Sequence, residues 1–316
     1  MQKLTLSQQS PFIYSANQVV TIRTQEFPIV YETPTGPIFP ENFFNGSILH
    51  YKDRMLFCCR ADQRPWFENI RLVVCELDFN FVPKTETIKF LNVGSDRGLF
   101  HVEDPRLFIC NDSINIVYGD GYKVYHAVLN DDLSCREWKN ITTFGLLGIA
   151  EHDTREKNWT PFEYDNKVAV IYSDSPRVIF FPYTGKCVLS NQSIEWDFGQ
   201  VRGGTPAIKW QGNYVTFFHS ALNDNSKNWF EGRTYFVGAY VFEPKPPFRV
   251  ISMTKIPLMK GEIFPDNPIA PIVKAVFPAG VARTHDSFYV SMGLNDSCTG
   301  VLRISKSLLE KILEKV

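Results

Sequence analysis

Two acids beside a proline, Glu103-Asp104-Pro105-Arg106, are the first residues in this chain whose types and order suit chemistry. Proline lacks a backbone donor and biases the residue before it toward extended geometry. Asp104 is therefore expected to be extended and rigidly held, as a proton donor in a cleft requires. The competing account is a strand-edge acid paired with Arg106. Cations come next: Arg155-Glu156-Lys157-Asn158-Trp159-Thr160-Pro161-Phe162 carries two and an amide, or else is a solvated loop with Trp159 in the core. Val201-Arg202-Gly203-Gly204-Thr205-Pro206 joins adjacent glycines to an arginine, which either lets backbone N–H groups approach an anion or forms a plain turn. His219 ends the apolar run Phe217-Phe218-His219, where a histidine is usually a satisfied core residue, and Tyr235 follows in Arg233-Thr234-Tyr235. One placed carboxylate with cations, a histidine and a tyrosine suits glycosyl chemistry with an anionic co-substrate.

Other chemistries lack their residues. No Gly-x-Gly-x-x-Gly or Gly-Lys-Ser/Thr follows a strand pattern, which excludes Rossmann and Walker loops. No Gly-x-Ser-x-Gly accompanies His219, so a serine or cysteine nucleophile has little support. The cysteines, Cys58, Cys59, Cys75, Cys110, Cys135, Cys187 and Cys298, include no Cys-x-x-Cys, and no histidine stands at metal-ligand spacing, so no metal is expected.

Side chains so far apart need a scaffold that gathers them, and a weak repeat supplies one. Five polar turns each precede a β-rich run: Lys52-Asp53, Asn111-Asp112, Asp165-Asn166, Gln211-Gly212 and His285-Asp286. Each reads as a tight antiparallel hairpin. Counting back eight residues from Asp53, Asp112, Asn166, Gly212 and Asp286 reaches Asn45, Asp104, Asn158, Gly204 and Pro278; counting forward seven reaches Arg60, Gly119, Ser173, His219 and Gly293. In a hairpin these positions share the end opposite the turn. Five radial hairpins would then collect Asn45, Arg60, Asp104, Asn158 and His219 around one axis. The expected fold is all-β, a five-bladed β-propeller forming a single domain over residues 1–316, with a β-sandwich pair as rival because the spacing is irregular. A short C-terminal helix is expected at about 306–316, where Leu308, Leu309, Ile312, Leu313 and Val316 form one apolar stripe. That stripe either packs on its own domain or makes a homo-oligomer contact.

Composition agrees with strands: aromatics are 14% of the 316 residues, with 26 Phe and 13 Tyr. The 33 basic and 34 acidic side chains leave a formal charge of −1, with no basic excess to attract nucleic acid. No stretch reaches the roughly 18 apolar residues of a membrane span, and the first residues lack the apolar core of a signal peptide. No membrane association and a reducing, cytoplasmic setting are expected.

Several motifs, in order, resemble glycoside hydrolase family 130, the β-mannoside phosphorylases and mannosidases, and the related glycosyltransferase family 108. They are Asn45-Gly46 before a strand ending at Arg60, Glu103-Asp104-Pro105-Arg106, Gly203-Gly204-Thr205-Pro206-Ala207-Ile208, Phe218-His219, Tyr235-x-x-Gly238-Ala239, Phe277-Pro278-Ala279-Gly280 and Gly293-x-x-Asp296. The resemblance implies a five-bladed propeller with a funnel-like axial site. It implies Asp104 as general acid, and Asn45, Arg60 and Asp296 as the residues that bind the mannosyl unit in the −1 subsite. His219 and Tyr235 match positions that hold inorganic phosphate. Where the family has a Lys-Asp stretch leading into Leu-Phe-Pro, this chain reads Arg155-Glu156-Lys157-Asn158-Trp159-Thr160-Pro161, so either Lys157 or Arg155 takes the place of the phosphate lysine. An upstream phosphate-binding arginine of the family has no secure counterpart. The implied partners are a mannoside or manno-oligosaccharide and phosphate or mannose 1-phosphate, with inorganic phosphate as co-substrate and no other cofactor.

The chemistry is coherent. An inverting hydrolase needs an acid for the leaving oxygen and a second carboxylate to activate water, whereas phosphate is already an anion and needs no base. A like charge, Glu103 or Asp296, is expected to keep Asp104 protonated at neutral pH. The resulting reading is a phosphorylase that reversibly transfers a mannosyl group between a β-mannoside and phosphate with inversion. Its rivals are a β-mannosyltransferase with a nucleotide-sugar donor, an inverting β-mannosidase using Glu151, Asp153 or another acid as base, and a propeller that only binds glycans. Linkage and acceptor depend on rim loops such as Arg64 to Asn69 and Asn223 to Glu231.

Overall fold

The computed structural model describes residues 12–316 apart from 23, 25–26, 34–35, 39, 41, 64–67, 144–154, 225–231 and 263–273. Glu151, Asp153 and much of both rim loops lie outside the described residues. All five turns close antiparallel hairpins, and each hairpin opens one blade. Blade one is Asn42–Tyr51, Arg54–Gln63, Glu68–Leu77 and Lys89–Phe90; blade two is Glu103–Cys110, Ser113–Gly119, Val124–Leu129 and Cys135–Asn140. Blade three is Thr160–Tyr164, Lys167–Asp174, Arg177–Phe181 and Lys186–Ser190, and blade four is Ile208–Trp210, Asn213–Asn223, Arg233–Phe242 and Val250–Thr254. Blade five is Val276–Arg283, Ser287–Leu294 and Cys298–Ser305, completed by Val19–Thr21 from before blade one. Val19 faces Leu302 and Thr21 faces Gly300, so this segment closes the ring and covers an edge that would otherwise stay open.

Five apolar clusters hold the ring, one between each pair of neighbouring blades. Strand Asn42–Tyr51 is buried along almost its whole length because both faces of its blade are covered, while the outermost strand Cys135–Asn140 is largely exposed. This sandwiching explains the unusual supply of Phe and Tyr, whose large rings fill wedge-shaped gaps between twisted sheets. Among the described residues no helix is long and apolar enough to cross a membrane.

The expected helix is corrected in length. It spans Lys306–Ile312, capped by Ser305, whose Oγ accepts from the Leu308 N–H at 3.2 Å. Leu313–Lys315 then turns extended and pairs with Val250–Thr254, adding a strand to the outer edge of blade four. An unpaired sheet edge satisfies the backbone of these residues better than a last helical turn open to water. The apolar stripe packs on its own ring: Leu309 is buried in the cluster between blades four and five, with Ile312 and Leu313 against it. Val316 alone of the stripe is well exposed, at 48%. Leu309→Ala is expected to lower the unfolding free energy by about 2–5 kcal/mol in urea titration; a change below about 1 kcal/mol would mean that the helix is not part of this core.

Candidate active site

The axial end opposite the turns is built on β-bulges. In blade one Phe44 faces Arg60 and Ser47 faces Cys58, so Asn45-Gly46 carry one residue more than the partner strand. Blade two repeats this: Glu103 faces Gly119, Arg106 faces Val117, and Asp104-Pro105 carry the excess. Asn45 and Asp104 take left-handed backbone, with φ of 50° and 53°. The expectation that Pro105 would hold Asp104 extended is therefore wrong, because the bulge overrides the preference of a pre-proline residue. Asp and Asn tolerate this region better than other residues, and the strain is about 1–3 kcal/mol per residue. The two side chains meet, Asn45 Nδ2 donating to Asp104 Oδ1 at 2.9 Å. A Cβ on Gly293, from blade five, would overlap Asn45 Oδ1, so only glycine fits there. Asn45 Oδ1 is itself buried and accepts no hydrogen bond from the described residues.

Arg60, at the end of the neighbouring strand, faces this pair. Its Nη1 lies 3.0 Å from Glu103 Oε2 and 3.6 Å from Asp104 Oδ1, its Nη2 lies 3.4 Å from Asp62 Oδ2, and the guanidinium sits 4.4 Å from the Phe44 ring centroid. Burial opposes the Arg60 charge, but Glu103, Asp104, Asp62 and Asp296 outweigh it and raise its pKa. Burial pushes the Glu103 carboxyl up; Asp104 and Asp296 add to that, while Arg60 and Lys157 oppose it. Asp296, in the turn after strand Ser287–Leu294, belongs to this end of the axis because its charge acts on Arg60, Glu103 and Tyr235.

Arg106 ties the blades together. It is 3% exposed; its Nε donates to Gly204 O at 2.7 Å, its Nη1 to Asp104 O at 3.1 Å and its Nη2 to Asn158 Oδ1 at 3.5 Å, and its guanidinium lies 5.1 Å from the Phe277 ring centroid. Arg106 bonds the backbone of Asp104, so the strand-edge alternative of an Asp104–Arg106 carboxylate pair does not apply. Burial lowers the Arg106 pKa to about 10, which leaves it charged at neutral pH.

In blade four Arg202 bridges to His219, so the residue matching Asn45 and Asp104 is Gly203, one before the expected Gly204. Gly203 O accepts from His219 Nδ1 at 2.7 Å, Gly204 O accepts from Arg106, and Gly204 N donates to Thr160 Oγ1 at 3.2 Å. The glycine pair therefore does not form an anion-binding turn; it offers carbonyls and lets strands approach, since Cβ atoms there would overlap Asn158 O and Phe217 O. His219 is 4% exposed and lies between Tyr235, stacked at 6.1 Å, and Phe277, edge-on at 5.0 Å. Burial pushes its pKa down to about 3, with Arg106, Arg202 and Arg233 contributing and the Gly203 hydrogen bond opposing. Burial also raises the Tyr235 hydroxyl pKa.

Arg155 and Lys157 are exposed and line one cleft of about 210 Å³ with Arg202, Asn158 and Gly203. Lys157 also borders the small cavity beside Glu103 and Asp104, which Arg155 does not. Glu156 between them is buried, accepting from Trp159 Nε1 at 3.2 Å and Tyr172 OH at 2.7 Å, so the expected solvated loop is anchored at its centre. Larger cavities of about 320 Å³ open on the turn-bearing side, away from these groups, so chemistry rather than size marks the site. Sequence reasoning missed Asp62, two residues beyond Arg60 on one strand face, and Arg233, which shares a face with Tyr235; the period of two was the available signal. Replacing Arg106 by Lys leaves one compact head for three fixed oxygens, so a loss of about 1.5–3 kcal/mol is expected in urea unfolding; unchanged stability would mean that the clamp carries no energy.

A sequence model of the family described as β-1,4-mannooligosaccharide phosphorylase matches residues 15–315. A 1,2-β-oligomannan phosphorylase of Thermoanaerobacter sp. (strain X514) is 24% identical over 217 residues, covering 66% of this chain and 69% of its own. The solved β-1,2-mannobiose phosphorylase of Listeria innocua, in complex with β-1,2-mannobiose, is similar with a TM-score of 0.60 at 15% identity, over 93% of this chain and 99% of that one. A mannose phosphorylase of Leishmania mexicana, in complex with phosphate ion, reaches 0.55 at 13% identity, over 94% and 90%. Likeness at these identities shows the propeller fold; the family match, which spans nearly the whole chain, shows that this protein belongs to glycoside hydrolase family 130.

Proposed function

We propose that this enzyme is an inverting β-mannoside phosphorylase, with Asp104 as the general acid, Asn45, Arg60 and Asp296 binding the mannosyl unit, and His219, Tyr235 and Lys157 holding phosphate. The observation that carries this reading is the division of the axial end. Asp104, oriented by Asn45 and Arg60, stands with Glu103, Asp62 and Asp296 on the acidic side, and Arg155, Lys157, Arg202 and Arg233 surround the other side. The unsatisfied, buried Asn45 Oδ1 supports a sugar hydroxyl as its donor. The names of the Thermoanaerobacter and Listeria relatives support a β-1,2-mannoside as substrate. Lys157 borders the cavity beside Asp104 and Arg155 does not, so Arg155 is assigned to the entry of the anion. Seven free cysteines support a cytoplasmic setting.

In this mechanism an unprotonated phosphate oxygen attacks the anomeric carbon on the face opposite the leaving group. The glycosidic bond breaks with its electron pair on the leaving oxygen, which takes the Asp104 proton. Cations lower the barrier by holding the anion in line, and no base is required. The nucleophile arrives charged, so a second catalytic carboxylate has no task.

Cleavage of β-1,2-mannobiose is expected to require phosphate and to release mannose 1-phosphate. Free mannose formed equally well without phosphate would make the enzyme a mannosidase, and transfer from a nucleotide sugar alone would make it a mannosyltransferase. Asp104→Asn keeps the left-handed backbone and the contact with Asn45 but has no acidic proton, so turnover should fall about 10²-fold or more with the melting temperature little changed. Glu103→Gln, assayed beside it, separates the two carboxyls. If Glu103→Gln abolishes turnover while Asp104→Asn does not, Glu103 is the acid.

A further inference from the structure

We infer that His219 presents a hydrogen-bond acceptor, not a donor, to the anion, so that the site selects an oxyanion still carrying a proton: hydrogen phosphate over sulfate. This rests on the phosphorylase reading and on His219 facing phosphate. It follows from the imidazole's partner. A carbonyl oxygen has no hydrogen, so the 2.7 Å contact with Gly203 O requires the proton on Nδ1. Gly203 cannot readily turn away: its neighbour Arg202 donates its N–H to His219 O at 2.9 Å and accepts from His219 N at 3.2 Å. A Cβ at Gly203 would overlap Asn158 O, so this backbone is also packed from blade three. The neutral ring then carries a lone pair on Nε2.

A second proton, which would turn Nε2 into a donor, is opposed from several sides. Arg106 from blade two and Arg202 and Arg233 from blade four bring positive charge, Phe277 from blade five is an apolar wall, and Tyr235 covers a ring face with its phenol protonated. Asp296, in blade five, acts on Tyr235. Against such a nitrogen a bare oxyanion meets lone pair to lone pair. Phosphate at neutral pH keeps at least one O–H that can donate to Nε2, and arsenate does the same, whereas sulfate has none. The arginines can neutralise the remaining oxygens. During transfer the P–O–H proton stays hydrogen-bonded to Nε2 while a different, unprotonated oxygen forms the bond to the anomeric carbon. The leaving oxygen receives the Asp104 proton, so His219 exchanges none. His219 is thus a specificity-determining residue of the anion site.

The test is mannobiose cleavage by the wild-type enzyme with phosphate, arsenate and sulfate. Arsenate should support cleavage, and the inhibition constant of sulfate against phosphate should exceed the phosphate KM by at least about tenfold, as when a site built for a hydrogen bond rejects an analogue lacking it. His219→Gln offers an amide donor as well as an acceptor, and should raise the phosphate KM while bringing sulfate within about threefold of phosphate. Independently of substrate and of that variant's folding, ¹⁵N NMR of the wild-type histidines at pH 7 should show His219 protonated at Nδ1 with Nε2 unprotonated. Sulfate competing as strongly as phosphate, or a proton on Nε2, overturns the inference. Cleavage indifferent to phosphate and arsenate overturns the phosphorylase reading instead, and the selection falls with it.

Discussion

Three neutral oxygens and one aromatic ring enclose the Arg106 guanidinium, and the axial end depends on that enclosure. Its partners are the Asp104 carbonyl in its own blade, Asn158 at the entrance to blade three and the Gly204 carbonyl before blade four, with Phe277 of blade five beneath. Removing such a cation from water is expensive, and only fully formed hydrogen bonds offset it. Carbonyls serve this purpose well because the backbone places them and no rotamer can withdraw them. The same clamp therefore fixes the backbone of Asp104 and of the glycine pair that orients His219.

Around the clamp, charge is sorted by sign. Arg60 draws Glu103, Asp104 and Asp62 together and feels Asp296, and burial, with like-charge repulsion added, pushes Glu103 up. On the other flank Arg155, Lys157 and Arg202 line a cleft beside a histidine kept neutral by burial. A polar, acid-bearing surface next to a cationic one suits a sugar next to an anion. Neutrality of His219 keeps the cationic side from adding one more repelling charge, and the Gly203 carbonyl decides which nitrogen donates.

Asn45, Asp104, Asn158, Asn295 and Asp296, which take left-handed backbone, are each Asn or Asp. Each is strained alone, and the five inter-blade clusters supply the rigidity that holds them. Bulges turn side chains out of a flat ladder and aim them at the axis. The strain is thus how a sheet otherwise built for packing presents Asn45 and Asp104 to each other.

The sequence by itself determined the five turns, because a polar two- or three-residue reversal between β-rich runs is a local signal. It also determined the end of the molecule where Asn45, Arg60, Asp104 and His219 gather, since pairing outward from a turn is simple counting. Counting failed by one residue in blade four, where the strand carries an additional residue between Gly203 and the turn, and the apolar stripe at the end of the chain overstated the helix because strand pairing with blade four is not local. Tertiary structure alone decided the left-handed turn of Asp104, against its proline. It also decided the upward shift of the Glu103 carboxyl, the place of Lys157 on the cavity beside Asp104 and the proton on His219 Nδ1. Each of these depends on burial or on a partner distant in the chain, and neither is written in the neighbouring residues of the chain.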